Sequence, residues 1–244
     1  MDMVTGQGGA APGDVFVSPA AQIVRTVVHG VPVLFTVANP RDKIQRVHLT
    51  GAFYEAEELD LIARHFRIGG TFLDIGANVG NHAIYAATFL HAARVICLEP
   101  NPTAVTILRS NIALNGLGHV IDGSYLGYGL SDRATDTAMM SVPPRNLGGG
   151  RVVEGEGTIR LARADDLLAG QHVDFVKIDV EGMELAVLDG MAELIRACRP
   201  RMFVEVDNEN IEAFRAWVAK ADYRVLDRFK RYRVNVNFMI GPKG

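Results

Sequence analysis

Asp74-Ile75-Gly76-Ala77-Asn78-Val79-Gly80-Asn81, residues 74–81, stands where the apolar run Thr71 to Ile75 stops and the helical pattern Asn81 to Leu90 begins. A chain that turns sharply from strand to helix beneath a ligand needs residues without Cβ, for unusual dihedrals and for close approach of the ligand to backbone N–H groups. Gly76 and Gly80 meet that need. The dinucleotide fingerprint also requires a glycine two positions after the first, and Asn78 stands there instead, so a pyrophosphate would meet a side chain.

Outward from this turn, short apolar runs alternate with longer helical patterns. Arg94 to Leu98 reads as a strand and Pro102 to Leu114 as a helix, with Asn101 as cap, Pro102 at the first helical position and Asn115-Gly116 as a left-handed close. Asp174 to Asp179, Met183 to Ala197, Met202 to Val206 and Ile211 to Ala221 repeat the order strand, helix, strand, helix. Such alternation predicts a mostly parallel sheet covered on both faces. The tail, Tyr223 to Leu226 and Val234 to Ile240, predicts an antiparallel hairpin at the sheet edge. Upstream, Ile23 to Val28 and Val31 to Val37 flank His29-Gly30 as a second hairpin, and Leu59, Ile62, Ala63 and Phe66 mark one face of a helix over Glu55 to Arg67. Residues 1–20 carry no periodic pattern and read as a flexible N-terminal arm, leaving 21–244 as a single domain. In residues 141–157, Pro143-Pro144, Gly148-Gly149-Gly150, Gly155 and Gly157 are dense enough to exclude a regular element, so a long loop is expected there.

Composition narrows the function. The 244 residues are 48% hydrophobic and 22% charged, with a net charge of −3 and no basic surplus, so nucleic acid is not expected as a partner. Cys97 and Cys198 stand at neither metal nor redox spacing, which fits a reducing cytoplasm. No run approaches the length of a membrane span, and residues 1–14 lack the features of a signal peptide, so no membrane association is expected. The oligomeric state cannot be read.

Two further signals carry chemistry. Glu99 closes the strand Arg94 to Leu98, nineteen residues after Gly80, where a carboxylate can accept both hydroxyls of a ribose. That spacing suits NAD and S-adenosylmethionine alike; Asp74 and Asn78 can face an amino-acid ammonium and carboxylate, which NAD lacks. The second signal is Lys177-Ile178-Asp179-Val180-Glu181-Gly182-Met183-Glu184. Lys177 and Asp179 lie two apart on a strand and share a face, so they can pair. Asp179 and Glu181 would lie at the carboxyl end of that strand, where open α/β sheets bind ligands. A buried structural ion pair followed by a helix start is the plainer reading of the same residues.

The run 74–81, the Glu99-Pro100-Asn101 turn, the segment 177–182, Glu205 and Asn237-Phe238 together resemble the FkbM-type family of S-adenosylmethionine-dependent methyltransferases. The resemblance spans roughly residues 23 to 240, and Gly51 to Glu55 is similar to the segment that leads into the family's first helix. It implies a Rossmann-like class I methyltransferase: a seven-stranded, mostly parallel sheet with an antiparallel last strand, preceded here by the N-terminal hairpin and helix. It also implies O-methylation of a hydroxyl on a sugar, polyketide or related metabolite, free or carrier-bound. Carried over by position, Asp74, Gly76, Asn78 and Gly80 would hold the methionine part of the cofactor and Glu99 its ribose. Ser131 and Asp132 would lie at the adenine edge, and Tyr54 and Glu55 would close over the cofactor, with entry into the helix as the other reading of Glu55. As groups that assist removal of the acceptor proton, Asp179 and Glu181 come first and His82 third. A metal held by Asp179 with Glu205, Asp207 or Asn208 is permitted but not favoured, and none is expected. An NAD-dependent oxidoreductase and a non-catalytic nucleoside-binding module remain as alternatives. The basic run Arg224, Arg228, Lys230, Arg231, Arg233 reads either as an attractor for an anionic acceptor or as a solvated hairpin.

Overall fold

The computed structural model describes residues 20–143, 146–153 and 157–243, so the expected N-terminal arm lies outside the described residues except for Ala20. In chain order, β1 (Gln22–Val28) and β2 (Val31–Val37) pair as an antiparallel hairpin. His29 and Gly30 both take positive φ, 49° and 81°. A two-residue turn of that kind has the twist of the strands that it joins. α1 (Lys43–His48) and α2 (Ala56–His65) follow, then β3 (Thr71–Ile75), α3 (Asn81–Thr88), β4 (Arg94–Leu98), α4 (Pro102–Leu114) and β5 (Ile121–Asp122). β6 (Tyr128–Leu130), β7 (Thr135–Ser141), β8 (Arg151–Val153) and β9 (Ile159–Ala162) come next, then α5 (Ala164–Leu167), β10 (Phe175–Ile178), α6 (Glu184–Gly190) and α7 (Ala192–Cys198). β11 (Arg201–Asp207), α8 (Ile211–Lys220), β12 (Tyr223–Phe229) and β13 (Asn235–Pro242) complete the chain.

The central sheet has seven strands in the order β12-β13-β11-β10-β3-β4-β5. β10, β11, β3, β4 and β5 run parallel, and β13 is antiparallel to both of its neighbours. The expected seven-stranded sheet with an antiparallel last strand is therefore present. Alternate residues of each strand feed two separate cores. Leu73, Ile96, Val176 and Val204 pack with Val187, Leu188 and Phe214 on one face. Phe72, Val95, Phe175 and Phe203 pack with Leu59, Ile62 and Ala83 on the other, where Phe72 and Phe175 stack at 5.2 Å. Strands apolar on both faces are what a covered parallel sheet requires.

The free edge of β2 is met by side chains of α4 and its end. Asn115 Oδ1 accepts from Leu34 N–H at 2.9 Å, its Nδ2 donates to Leu34 O at 2.8 Å, and Asn111 Oδ1 accepts from Thr36 N–H at 2.7 Å. α4 itself starts as expected, with Asn101 Oδ1 accepting from Thr103 and Ala104 N–H at 3.0 and 3.4 Å. Asn101→Ala is expected to lower stability by about 1 kcal/mol, since two N–H groups of the first turn lose their acceptor. A urea titration should show the midpoint falling with its slope unchanged.

Two expectations are corrected. Residues 141–157 are not one long loop: Met139 to Ser141 pair antiparallel with Arg151 to Val153, and a 3-10 turn covers Leu147–Gly149. Pro143, Gly148, Gly149 and Gly150 lie in the connection, Gly157 follows β8, and Pro144 and Gly155 lie outside the described residues, while the strands on either side of the connection join a second sheet of order β6-β9-β7-β8. The helix expected over 183–197 is two helices that meet at Met191. Gly190 is the last residue of α6, and a Cβ there would stand 2.0 Å from Ser131 O, so only glycine lets α6 lie this close to the strand end.

Candidate active site

The turn after β3 is built by close approach. Gly76 has φ +76°, and a Cβ on it would meet Asp179 O at 1.9 Å. Its N–H and that of Ala77 both donate to Leu98 O at 3.0 Å, which ties the turn to the end of β4. Asn78 takes φ 50°, a conformation that asparagine tolerates better than most residues. Its Oδ1 accepts from Val79 N–H at 2.8 Å and its own N–H donates to Glu99 Oε2 at 2.8 Å. Glu99 Oε1 accepts from Asn101 N–H at 2.8 Å. One buried carboxylate thus joins the two turns. Burial pushes its pKa up to about 7 although both N–H groups favour the charged form.

Beneath this turn lies a second polar group. Lys177 on β10 stands opposite Asp74 on β3 in the parallel register. Its Nζ is 3.3 Å from Asp74 Oδ1 and 3.5 Å from Asp179 Oδ2, and it donates to Gly76 O at 2.7 Å. Asp74 is fully buried and Lys177 is 2% exposed. Burial pulls the lysine pKa down, but the charges of Asp74, Asp179 and Glu55 outweigh it and hold the pKa above the ordinary lysine range. The pairing expected between Lys177 and Asp179 is present, with Asp74 as a further partner. Asp74 supports the turn from below and does not line the cleft above it.

That cleft opens between the two sheets. Gly76, Asn78, Glu99 and Pro100 line it from the central sheet together with Ile75 and Leu98. Each strand of the smaller sheet adds an apolar side chain: Leu130, Met140, Val152 and Leu161. Asp179, Val180, Glu181 and Met183 close one end. A slot with apolar side chains along its walls, the buried Glu99 carboxylate on one of them and acids at one end, has the polarity that suits a nucleoside bearing a charged tail.

The acids at that end are crowded. Asp179, Glu181 and Glu205 each have a carboxylate oxygen within 4.8 Å of the others. Burial, and then the charges of Asp179 and Asp207, push Glu181 up to about 7. Burial, and then Asp179 and Glu58, push Glu55 up to about 8. Glu205 is raised as well, by burial and by its acidic neighbours.

The remaining expected residues lie elsewhere. Ser131 and Asp132 do not line the cleft: Ser131 N–H donates to Ala162 O at 3.0 Å and its Oγ to Asp132 Oδ1 at 3.1 Å, where the chain passes under α6. Tyr128, Gly129 and Leu130, just before them, face the cleft instead. Gly80, φ +91°, packs against Leu108 of α4 and shapes the start of α3. Tyr54 is clamped through its backbone, its N–H donating to Asn81 Oδ1 and its carbonyl accepting from Asn81 Nδ2, both at 2.9 Å. Its hydroxyl meets that of Tyr232 at 2.5 Å. His82 is buried, and burial followed by the Lys177 charge holds its pKa well below the ordinary range, so the ring is neutral. Its nearest acid is Glu55, 3.9 Å away. Of the basic run, Arg231 is committed to Glu58, with Nε and Nη2 contacts both at 2.6 Å.

The four apolar cleft residues of the smaller sheet had no sequence signal, because they lie among breakers in the second half of the chain. His48 was missed too. It stacks on Phe35 at 4.1 Å and reaches Asn81 Oδ1 with Nε2 at 3.0 Å, so it steadies the same clamp that holds Tyr54.

Residues 74–225 match the family described as the Methyltransferase FkbM domain. Over 200 residues the chain is 30% identical to the hexuronic acid methyltransferase AglP of Haloferax volcanii, covering 80% of this chain and 76% of that one. Among solved structures, M. jannaschii TYW2 in complex with AdoMet is 17% identical, with a TM-score of 0.51 over 94% of this chain and 90% of that one. The M. jannaschii tRNA m1G37 methyltransferase is 15% identical, with a TM-score of 0.53 over 93% of this chain and 56% of that one. At such identities these two structures speak for the fold alone.

Proposed function

The chain belongs to the FkbM methyltransferase family, and from that premise we propose that it transfers the methyl group of S-adenosylmethionine to an oxygen of a small sugar-type acceptor. The observation that carries the cofactor reading is Glu99, a carboxylate fixed by two backbone N–H groups at the wall of an apolar slot. Those bonds leave it lone pairs for two ribose hydroxyls. The acceptor reading rests on the relative named for hexuronic acid and on the carboxyl groups at the end of the slot. A tRNA acceptor is not proposed, since nothing in the charge balance favours a phosphate backbone.

S-Adenosylmethionine supplies a methyl group that is already electrophilic. The work left to the protein is to position the acceptor, exclude water and accept a proton. Glu99 would take the ribose and the apolar residues of the smaller sheet the base. Gly76 and Asn78 border the place for the methionine end, over the Lys177 and Asp74 pair. Asp179 and Glu181 would receive the acceptor oxygen and assist loss of its proton. His82, neutral and buried, is left as a packing residue. Among the described residues no helix is long and apolar enough to cross a membrane. Both cysteines are free thiols, and work in a reducing compartment is proposed on that basis.

Calorimetric titration with S-adenosylhomocysteine tests the reading. Glu99→Gln is expected to weaken binding by roughly 10- to 100-fold, the value of charge-assisted bonds of about 1.5–3 kcal/mol. Glutamine offers a single acceptor oxygen, so one of the two N–H groups also loses its partner. In the unmodified protein the hydroxyls need the charged carboxylate, so affinity should fall as pH drops through about 7. Between pH 8 and pH 6 the loss should be about tenfold, and it should vanish in the variant. A pH-independent affinity, or a variant that binds equally well, would remove Glu99 from the site.

A further inference from the structure

We propose that Asp179, Glu181 and Glu205 form a binding site for a divalent cation that prefers oxygen ligands, Mg²⁺ or Mn²⁺, with Asn237 as a fourth donor. The positions come from three adjacent strands. Ile178 stands opposite Val204 in the parallel register, which sets Asp179 beside Glu205, and Glu205 stands opposite Asn237 in the antiparallel register. Residues directly opposite in a ladder put their side chains on one face, about 5 Å apart. Asp179, Glu205 and Asn237 therefore form a row, and Glu181 reaches it from the loop.

The oxygens of the three acids already lie within 4.8 Å of one another. A hard cation with ligands at about 2.0–2.6 Å would draw them closer by rotation of partly exposed side chains. Asn237 gives an independent sign. It is 2% exposed, and its Oδ1 has no hydrogen-bond partner among the described residues. A buried amide oxygen set beside a carboxylate has nothing to accept from there, whereas a cation would satisfy both.

Charge points the same way. Glu55, Asp179, Glu181 and Glu205 face one another, and Lys177 is the buried cation among them. Lys177 is shared among Gly76 O, Asp74 and Asp179, whose Oδ2 it approaches no closer than 3.5 Å. Arg151 is held by Asp207 at 2.6 Å, and Lys43 reaches Glu181 only as a distant charge. Of the two other ligands that the sequence permitted, Asp207 is engaged by Arg151, and Asn208 donates through its Nδ2 to Arg233 O at 2.6 Å. An all-oxygen set favours Mg²⁺ or Mn²⁺ over zinc, which takes nitrogen and sulfur more readily.

Asp179 and Glu181 also close the cleft, so the ion would sit where the acceptor oxygen arrives. This consequence rests on the reading given under Proposed function: the ion would hold two acceptor oxygens and lower the pKa of the hydroxyl to be methylated, whose proton would pass to a carboxylate oxygen of Asp179 or Glu181 that does not hold the ion. It would also let an acidic pocket receive an anionic sugar.

The test is titration of the full chain with Mn²⁺, followed by electron paramagnetic resonance, beside calorimetry with S-adenosylhomocysteine. One saturable Mn²⁺ per chain is expected, displaced by Mg²⁺. Glu205→Gln should weaken it at least tenfold and leave the affinity for S-adenosylhomocysteine within twofold. If Glu205→Gln does not fold, Glu205→Asp, which keeps the charge but draws the carboxylate back by one methylene, serves in its place. Absence of a saturable site, or a variant that holds Mn²⁺ as tightly as the unmodified chain, overturns the proposal. Loss of S-adenosylhomocysteine binding with Mn²⁺ binding intact would strike the cofactor reading and leave the cation site standing.

Discussion

Lys177→Met is expected to cost the folded state about 3–5 kcal/mol, the usual penalty when one partner of a buried ion pair is removed. Methionine fills much of the space but offers nothing to Asp74, which is fully buried with Lys177 as its cation at 3.3 Å. Gly76 O also loses its donor. The alternative for Asp74 is to take up a proton, and burial already raises its pKa in the unmodified protein despite the lysine. The pH dependence follows. In the variant the folded state would keep that proton at pH values where the unfolded chain has released it, so stability falls as pH rises. The deficit relative to the unmodified protein should be smallest near pH 4–5, close to the unfolded carboxyl value of about 3.9, and grow toward neutrality. Urea titrations at pH 5 and pH 8 would show this. A loss below about 1 kcal/mol at pH 8, or one independent of pH, would mean that Lys177 is not what holds the Asp74 charge and that the contact from Ala83 N–H suffices. Asp74→Asn added to Lys177→Met should return part of the stability, since the orphaned charge is gone.

The same ion pair shows what was legible in the sequence. The strand pattern put Lys177 and Asp179 on one face, because that needs only the two-residue period. It did not give Asp74 as a partner, because the pairing of β10 with β3 joins segments about a hundred residues apart and is fixed by the sheet order. Glu99 was legible for a local reason: an acid at the end of a strand after a glycine turn has few other places to go. Ser131 and Asp132 were not, since a strand end gives the neighbourhood of a cleft but not which of its residues turn inward. Residues 141–157 misled because breakers were counted over the whole stretch. Two short antiparallel strands tolerate glycine and proline in the link between them, and Ala138, Met140 and Val152 are too few to set up a visible alternation. At the acid cluster the sequence permitted Asp179 with Glu205 but gave no sign of Asn237, because helices and β12 separate the three in the chain and only the assembled sheet brings them into a row.

Gly76→Ala should be nearly as damaging as loss of Lys177, for a reason that leaves no room for adjustment. The added Cβ would stand 1.9 Å from the carbonyl oxygen of Asp179, a backbone atom just past β10 that no side-chain rotation can move away and whose residue is tied to Ile75 O through its N–H. The residue also has φ +76°, which costs an L-residue about 1–2 kcal/mol. Overpacking in a tight region adds about 1–3 kcal/mol, so a total of about 2–5 kcal/mol is expected. In a chain of this length that corresponds to a fall in Tm of roughly 5–15 °C. Gly30→Ala separates the two contributions. Gly30 has φ +81° but nothing within 4 Å of an added Cβ, so it should lose only the conformational part. Gly80→Ala falls between them, since its Cβ would meet the end of the Leu108 side chain, at 2.3 Å, which can rotate. The order Gly30, Gly80, Gly76 in rising cost is the prediction, measured by thermal unfolding. Only the last should also abolish binding of S-adenosylhomocysteine, because relief of that contact must part the ends of β3 and β10 and displace the turn at Gly76 and Asn78 that borders the proposed place for the methionine end. Equal losses at Gly30 and Gly76 would show that the two strand ends are not pressed together.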